Sequence, residues 1–290
     1  MKIIKKSIMT VFVVVMVVIL FFVYSNTHIS IHRYLIQDEK ISSEFDGYRI
    51  AVITDLHSAE FGKNNKKLCK KLENQHPDAV LMAGDMINST DEEFGVFYNF
   101  AKTVAAEYET YYIFGNHELI LSDKLREEIV NKVSALGIKV LDNEKVTLKK
   151  NGESINLYGM WFNLRYYRDA TDITDDEYNF TKMQMQKILG DADTKEYNIL
   201  LTHNPVYFDA YADWHADLVI SGHMHGGMVR IPFKGGVFSP EKDRFPKYDI
   251  GLFENKNCRM IVSGGLGNGI SGFRFNNCPD LTIIDLEKGI

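Results

Sequence analysis

Five short motifs rich in metal-binding side chains constrain this chain more than any other feature of its sequence. In chain order they are Asp55-x-His57, Gly84-Asp85, Gly115-Asn116-His117-Glu118, His203 and Gly222-His223-Met224-His225-Gly226. A single Asp-x-His pair or a lone His is weak evidence, because such patterns arise often by chance. An ordered set is much harder to obtain by chance, and this one indicates a hydrolytic site that holds two metal ions.

The order of apolar segments predicts an α/β fold. Strand-like runs at 49–54, 79–83 and 111–114 alternate with helical patterns at 66–74, 92–107 and 124–136, which is typical of a largely parallel sheet. The second half predicts strands at 139–149, 155–161, 198–202, 218–221, 259–263 and 281–286, and a helix near 175–189. Two packed sheets with helices outside accommodate both halves.

Each candidate ligand follows the end of a predicted strand, the sheet edge where α/β proteins bind ligands. Imidazole and carboxylate donors suit manganese, zinc or iron, whereas an all-oxygen set would favour magnesium or calcium. The adjoining glycines permit the tight turns and close backbone approach that a crowded metal site needs. Two divalent cations would exceed the charge of Asp55 and Asp85, so a loaded site would attract phosphate.

The motif series resembles that of the calcineurin-like metallophosphoesterase superfamily, D-x-H, GD, GNH[DE], H and GHxH, in order and spacing. The resemblance implies a four-layer αββα sandwich and two divalent or trivalent metal ions. It also implies that Asp55, His57 and His225 bind one ion, that Asn116, His203 and His223 bind the other, and that Asp85 bridges them. His117 would be the catalytic histidine that binds no metal, while Glu118 either orients a ligand or faces away.

Later segments resemble a membrane-associated bacterial branch, similar to UDP-diacylglucosamine pyrophosphatases. They are Arg230-Ile231-Pro232, Phe245-Pro246-Lys247-Tyr248, Ser263-Gly264-Gly265-Leu266-Gly267 and Phe273-Arg274-Phe275. Protein Ser/Thr phosphatases of the superfamily carry GDxVDRG, but here the run from Gly84 reads GDMINST. The Asp that orients the catalytic histidine and the phosphate-binding Arg are both missing, which disfavours a protein phosphatase of that type.

The amino terminus predicts a membrane anchor. Residues 8–24 are apolar apart from Thr10, which is long enough to span the hydrocarbon core. A cleaved signal peptide is the alternative, but its apolar region is shorter and no small-x-small cleavage site follows. Lysines precede the span and only Arg33 follows closely, so the positive-inside rule predicts a cytoplasmic amino terminus and an extracytoplasmic domain. We expect an anchor at 1–24, a stalk or edge strand at 25–46 and a catalytic domain at 47–290.

Composition excludes one class of partner, and the remaining polar residues carry separate expectations. The net charge of −6 and the lack of a basic stripe argue against nucleic-acid binding. Cys258 and Cys278 are expected to be free buried thiols, and a disulfide between them in an oxidising compartment is the alternative. The loop 161–168, with Arg165 and Arg168, either caps the site and grips a phosphate or headgroup or is a solvated loop. Arg274 either does similar work or, as is usual for a lone Arg, lies at the surface. Four histidines without partners at ligand spacing are also expected there: His28, His32, His76 and His215.

These observations together predict a membrane-anchored dinuclear phosphoesterase or pyrophosphatase. It would hydrolyse a phosphoester or phosphoanhydride bond, in a lipid-linked or cell-envelope substrate, by attack of a metal-bridging hydroxide. The alternative is a non-catalytic metal-binding scaffold with the same fold. The complete ligand set and His117 argue against that alternative, because a protein without turnover would be expected to have lost some of them.

Overall fold

Two six-stranded sheets form the centre of the fold. The computed structural model describes residues 2–167, 180–269 and 272–289. The first sheet contains β1 (Ser30–Asp38), β2 (Tyr48–Ile53), β3 (Ala79–Met82), β4 (Glu109–Tyr112), β5 (Lys139–Val140) and β14 (Asp280–Lys288). The second contains β6 (Glu144–Lys150), β7 (Glu153–Met160), β8 (Asn198–Thr202), β9 (Leu218–Ser221), β12 (Gly251–Asn255) and β13 (Cys258–Val262). A short hairpin, β10 (Arg230–Ile231) with β11 (Gly235–Gly236), stands apart from both sheets.

The strand order is β1-β14-β2-β3-β4-β5 in the first sheet and β12-β13-β9-β8-β7-β6 in the second. The central neighbours β2, β3 and β4 are parallel, as are β7, β8, β9 and β13. The helices are α1 (Lys2–Thr27), α2 (Lys66–Glu73), α3 (Gly95–Ala105), α4 (Asn116–Ile120), α5 (Asp123–Ser134), α6 (Lys182–Leu189) and α7 (Phe208–Asp213).

Alternation along the strands explains the layers. Side chains of a strand point to opposite faces in turn. In β2, Ile50 and Val52 belong to an apolar cluster shared by the two sheets, whereas Ala51 and Ile53 belong to a second cluster that includes the helices. Every strand of the parallel core is therefore apolar on both faces, and the result is the expected four-layer αββα sandwich.

The elements agree with the sequence predictions except in the middle of the chain. The predicted strand 139–149 is two strands in different sheets, β5 and β6, because the chain crosses between the sheets at 141–143, where Asn143 has φ 54°. The helix near 175–189 is observed at Lys182–Leu189, and residues 175–179 lie outside the described residues. The short helices α4 and α7 and the strand β12 were not predicted.

The amino-terminal helix and the strand after it lie against the sandwich. Ser7–Thr27 is long and apolar enough to cross a membrane, with a mean hydropathy of 2.9. Residues 7–24 are exposed, and Ser25 at the end of the helix is buried. Of the two alternatives for 25–46, the structure contains an edge strand, since β1 pairs in parallel with β14 from Ser30↔Asp280 to Asp38↔Lys288. Ile29, Ile36 and Ile41 in this segment are buried.

Candidate metal centre

The five motifs meet at one edge of the sandwich. The residues follow β2 (Asp55 and His57), β3 (Asp85), β4 (Asn116 and His117), β8 (His203) and β9 (His223 and His225), and all eight are buried. Five of them, Asp55, His57, Asp85, His223 and His225, have φ between 46° and 70°. This left-handed conformation costs a non-glycine residue about 1–2 kcal/mol. Such strain clusters at functional sites, where the surrounding structure has to hold it.

One group of ligand atoms comes from Asp55, His57 and His225, which lie within 4.8 Å of one another. The Nε2 atoms of His57 and His225 are 3.2 Å apart, and Nε2 of His225 is 3.5 Å from Oδ1 of Asp55. These are the three residues that the resemblance assigns to one metal ion.

A second group consists of Asp85, His203 and His223, again within 4.8 Å. Nε2 of His203 is 3.1 Å from Oδ2 of Asp85, and the rings of His203 and His223 have centroids 5.1 Å apart. Asn116 lines the same cavity as Asp85 and His223. The structure therefore brings together all the residues that the resemblance assigns to the other ion.

Asp85 lies between the two groups. Its Oδ2 atom is 3.8 Å from Nε2 of His57 in the first group and 3.1 Å from Nε2 of His203 in the second. Its Oδ1 atom accepts a hydrogen bond of 2.8 Å from the backbone N–H of His117. One oxygen thus fixes the carboxylate while the other faces both groups, as a bridging ligand requires.

The outer nitrogens of three histidines are engaged by acceptors. Nδ1 of His57 lies 3.0 Å from Oδ1 of Asn88, and Nδ1 of His203 lies 2.7 Å from the carbonyl oxygen of Ala83. Nε2 of His223 lies 2.9 Å from Oε1 of Glu241. A ring N–H that donates outward leaves the lone pair on the other nitrogen, which is how metal-binding histidines are held. The residues present therefore fit a pair of transition-metal ions.

The pKa values of the buried histidines are shifted in opposite directions by burial and by the charge of Asp85. Burial lowers the pKa of His57 to about 4 and that of His225 to about 3, so both rings are neutral, as ligands must be. Burial would also lower the pKa of His203, but the adjacent Asp85 carboxylate raises it to about 10. Burial opposes ionisation of Asp85, yet the neighbouring His203 holds its pKa well below the usual value.

His117 faces the cluster from α4. Its ring centroid is 4.6 Å from that of His57, nearly perpendicular to it, and it forms a third close group with His57 and Asp85. Its Nδ1 atom accepts a hydrogen bond of 3.0 Å from the backbone N–H of Ser89. A neutral His117 therefore carries its proton on Nε2. Ser89 lies in the GDMINST run, so a backbone donor orients this ring although the usual Asp is missing.

Glu118 is fully buried and joins two of the motif loops. Its Oε2 atom accepts hydrogen bonds from the backbone N–H groups of Asp85 and Gly115, and its Oε1 atom accepts one from Met86. Burial, followed by repulsion from Asp85, raises the pKa of Glu118. Its side chain therefore faces the site and fixes the loop that carries Asp85.

Close packing at the centre requires glycine at two positions. A Cβ at Gly115 would lie 2.3 Å from Oδ1 of Asp85, and one at Gly222 would lie 2.4 Å from Oδ2 of Asp55. Neither carboxylate could keep its position against such an atom, since real Cβ contacts are longer. The glycines of these motifs thus make room for the ligands.

Two cavities flank the cluster. One, of about 350 Å³, is lined by His57, Asn88, residues 266–269 and, from the end of α1, Asn26 and Thr27. The other, of about 310 Å³, is lined by four candidate ligands and His117 together with Met228, Ser239, Pro240, Lys242 and Asn268; the four are Asp85, Asn116, His223 and His225. The centre is therefore reached from two sides, one of which includes the end of the apolar helix.

Arg274 is buried, so of its two predicted alternatives the surface position is wrong. Its Nη2 atom lies 3.4 Å from Nδ1 of His225 and donates to the carbonyl of Gly267 at 2.5 Å. Burial lowers the pKa of this guanidinium to about 10. The backbone N–H and carbonyl of Arg274 each form a 2.8 Å hydrogen bond with the side chain of Asn26. Asn26 on α1 is thus two contacts away from a candidate ligand.

The loop after β7 supplies an aromatic wall rather than a cationic one. The ring of Tyr167 is buried edge-on to His223, with centroids 5.2 Å apart. Arg165 is exposed, contacts the ring of Tyr166, and is not part of the cluster; Arg168 lies outside the described residues. All three cysteines are free, and the four isolated histidines (His28, His32, His76 and His215) are exposed as expected.

Sequence reasoning missed the residues that hold the ligands, chiefly Asn88, Glu241 and Asn204. Asn204 donates to the same Glu241 oxygen that contacts His223. Asn88 could have been noticed, since it occupies the position of the missing Asp in the GDMINST run. Nothing in the sequence around Glu241 marks it, because it comes to the site through a loop.

The family model for calcineurin-like phosphoesterases matches residues 48–227 of this chain. The chain belongs to the calcineurin-like phosphoesterase family. The match confirms the predicted class, a metal-dependent phosphoester hydrolase, in a family that uses a dinuclear metal site.

Three relatives are similar over most of their lengths. The metallophosphoesterase YkuE of Bacillus subtilis is 23% identical, covering 88% of this chain and 85% of that protein. The phosphodiesterase YaeI of Escherichia coli is 25% identical, with 82% of each chain covered. The UDP-2,3-diacylglucosamine pyrophosphatase LpxG of Chlamydia muridarum is 23% identical, covering 82% of this chain and 83% of that protein.

Proposed function

We propose that this protein is a membrane-anchored hydrolase that cleaves a phosphodiester or phosphoanhydride bond in a lipid-linked substrate. The convergence of two His/Asp groups on the Oδ2 atom of Asp85 carries the proposal. The relatives named as a phosphodiesterase and as a pyrophosphatase support the bond type. The cavity lined by Asn26 and Thr27 supports the substrate class, because it opens at the end of the apolar helix.

In this proposal the ligand assignment is that of the family. Asp55, His57 and His225 would bind one ion, Asn116, His203 and His223 would bind the other, and Asp85 would bind both. When bound, manganese, zinc or iron ions would polarise the phosphoryl group and lower the pKa of a water to about 7. Asn88, Ala83 and Glu241 keep the imidazole lone pairs directed inward.

His117 acts on the substrate as a hydrogen-bond donor. With Nδ1 accepting from Ser89, its Nε2–H is directed away from that loop and is available to stabilise negative charge on the phosphoryl group or the leaving oxygen. Glu118 holds the loop of Asp85, so it positions a ligand and takes no part in proton transfer.

The test uses the full chain in lipid nanodiscs, loaded with manganese, zinc or iron. A soluble phosphomonoester, a phosphodiester, a pyrophosphate and a lipid-linked pyrophosphate are compared. We expect two metal ions per chain by mass spectrometry and turnover of a diester or an anhydride. Asp85→Asn should lose both, whereas Asp123→Asn, an exposed carboxylate on α5, should lose neither. A fully loaded protein that turns over none of the four would show a metal-binding scaffold instead.

The topology is proposed from the lysines that precede α1. With these on the cytoplasmic side, the catalytic domain lies outside the membrane. Protease added to right-side-out spheroplasts should digest the domain. A domain that is cleaved only after the membrane is opened would reverse this orientation.

A further inference from the structure

A group of exposed apolar side chains lies beside the end of α1. The turn between β10 and β11 presents Ile231, Pro232 and Phe233, all exposed, and the Phe233 ring has a relative exposure of 109%. Phe238, Phe245 and Phe273 are also exposed. We name the docking surface as Ile231, Phe233, Phe238, Phe245 and Phe273. Large exposed apolar groups of this kind mark interaction sites.

The docking surface is continuous with the apolar helix. Phe273 packs against Phe22 of α1, and Phe275 packs edge-on against Phe21, with ring centroids 6.2 Å and 5.4 Å apart. The backbone N–H of Arg230, where the hairpin begins, donates to the carbonyl of Phe275 at 3.0 Å. The hairpin is therefore tied to a segment that touches the last apolar turns of α1.

The contacts with Phe21 and Phe22 determine where the domain lies along the axis of α1. Phe21 and Phe22 belong to the apolar span Ser7–Thr27. They precede Asn26 by four or five residues, which is roughly 6–8 Å along the helix axis. With α1 spanning the bilayer, as proposed above, residues 273–275 contact the helix at that depth, and the domain reaches the level of the membrane surface.

The docking surface is surrounded by net positive charge, which favours binding to an anionic membrane. Residues 230–247 carry five Lys and Arg against two Asp and Glu, a net charge of +3 in a chain whose net charge is −6. Lys234, Arg244 and Lys247 are exposed. Basic side chains that flank exposed aromatic residues are typical of segments that lie in the interface of anionic membranes.

We infer that the docking surface inserts into the lipid interface around α1, giving the protein a second membrane contact besides its helix. Met228, Ser239 and Pro240, from the same stretch of chain, line the cavity beside the ligands. This contact holds that cavity at the level of the lipid headgroups and fixes the tilt of the domain on the membrane.

Tryptophan quenching in the full chain tests this contact without assuming any substrate. Phe233→Trp is compared with Met183→Trp, an exposed apolar position on α6 outside the docking surface. Both variants keep the native Trp161 and Trp214 as a common background. Nanodiscs contain phosphatidylcholine and phosphatidylglycerol, with or without bromine near the top of the acyl chains.

We expect brominated lipid to quench Phe233→Trp and shift its emission to shorter wavelength, while the emission of Met183→Trp stays unchanged. Replacing Lys234 by Glu in the Phe233→Trp background should reduce the quenching in phosphatidylglycerol-rich discs. Equal quenching of the two tryptophan variants would overturn the inference. So would a Phe233→Trp emission that depends on protein concentration in detergent but not on lipid, since a second copy would then cover this surface.

Discussion

Removing the side chain that accepts from the outer nitrogen of one histidine should weaken the binding of one metal ion and leave the binding of the other unchanged. Glu241 contacts Nε2 of His223 at 2.9 Å and accepts a hydrogen bond from Asn204 at 2.7 Å. Glu241→Ala therefore removes the acceptor of two buried donors. Asn88 contacts Nδ1 of His57 at 3.0 Å and is the counterpart in the other group. Loss of such a partner typically weakens metal binding about 10–100-fold, or roughly 1.4–2.7 kcal/mol.

Because two donors lose their acceptor, we expect Glu241→Ala near the upper end of this range. Asn88→Ala should fall near the lower end and affect the other ion. The affinities are measured by titration against a calibrated chelator, with metal content determined by mass spectrometry. Glu241→Gln keeps an oxygen acceptor without the charge and should give an intermediate result, which separates loss of orientation from loss of fold. The reasoning would be refuted if Glu241→Ala lowered the affinity for both metal ions equally in a protein with an unchanged circular dichroism spectrum.

Three other perturbations test different parts of the structure. His117→Ala should keep two metal ions but lower kcat by roughly 10²–10³-fold, the usual effect of removing one hydrogen-bond donor to developing negative charge, and full activity would remove His117 from the mechanism. Asn26→Ala deletes both hydrogen bonds to the backbone of Arg274. It should lower the free energy of unfolding by about 1–3 kcal/mol and should also lower the activity on a soluble diester. The hydrogen bond to Asp280 raises the pKa of His32 above 6.5, so this pair stabilises the fold below pH 6.5 and loses its effect as pH rises through the folded-state value. The difference in melting temperature between the native chain and His32→Gln should therefore shrink with rising pH, and a constant difference would contradict this.

Each of these has a control within the chain. Thr103→Val removes an exposed hydroxyl on α3 that bonds locally to the carbonyl of Asn99, so it should leave activity on the soluble diester unchanged. His76→Gln, an exposed histidine, should give the same melting temperature as the native chain at every pH. The metal content of His117→Ala is measured first, because the loss of kcat reports a lost hydrogen-bond donor only if that content equals the native protein's.

Local sequence located the candidate ligands because each lies within four residues of the end of a strand. Asp55 is two residues beyond β2 and His203 is the first residue beyond β8, so recognising the strand was enough to place the ligand. Parallel strands deliver their carboxyl ends to a common edge, and the pairing of β2 with β3 and of β8 with β9 then brings the motifs together. The fold class could be predicted for the same reason.

The remaining features depend on contacts between distant segments. Glu241 reaches His223 through a loop, and the burial of Arg274 results from packing against α1, from which it is separated by 248 residues at Asn26. The division of 139–149 into two strands depends on which sheet each half joins, and periodicity along the chain carries no information about that choice. Such features follow from tertiary packing, which one sequence does not encode locally.

The pairing of β1 with β14 imposes an order on biosynthesis. The segment that directly follows α1 receives its partner strand about 250 residues later, so at roughly 5–20 residues per second it waits roughly 10–50 s during synthesis. Asp280, at the start of β14, also bonds the backbone of Gly264 beside the centre. Completion of the centre is therefore a late event: the loop that contains Gly264 lacks this hydrogen bond until β14 has been synthesised and has joined the sheet.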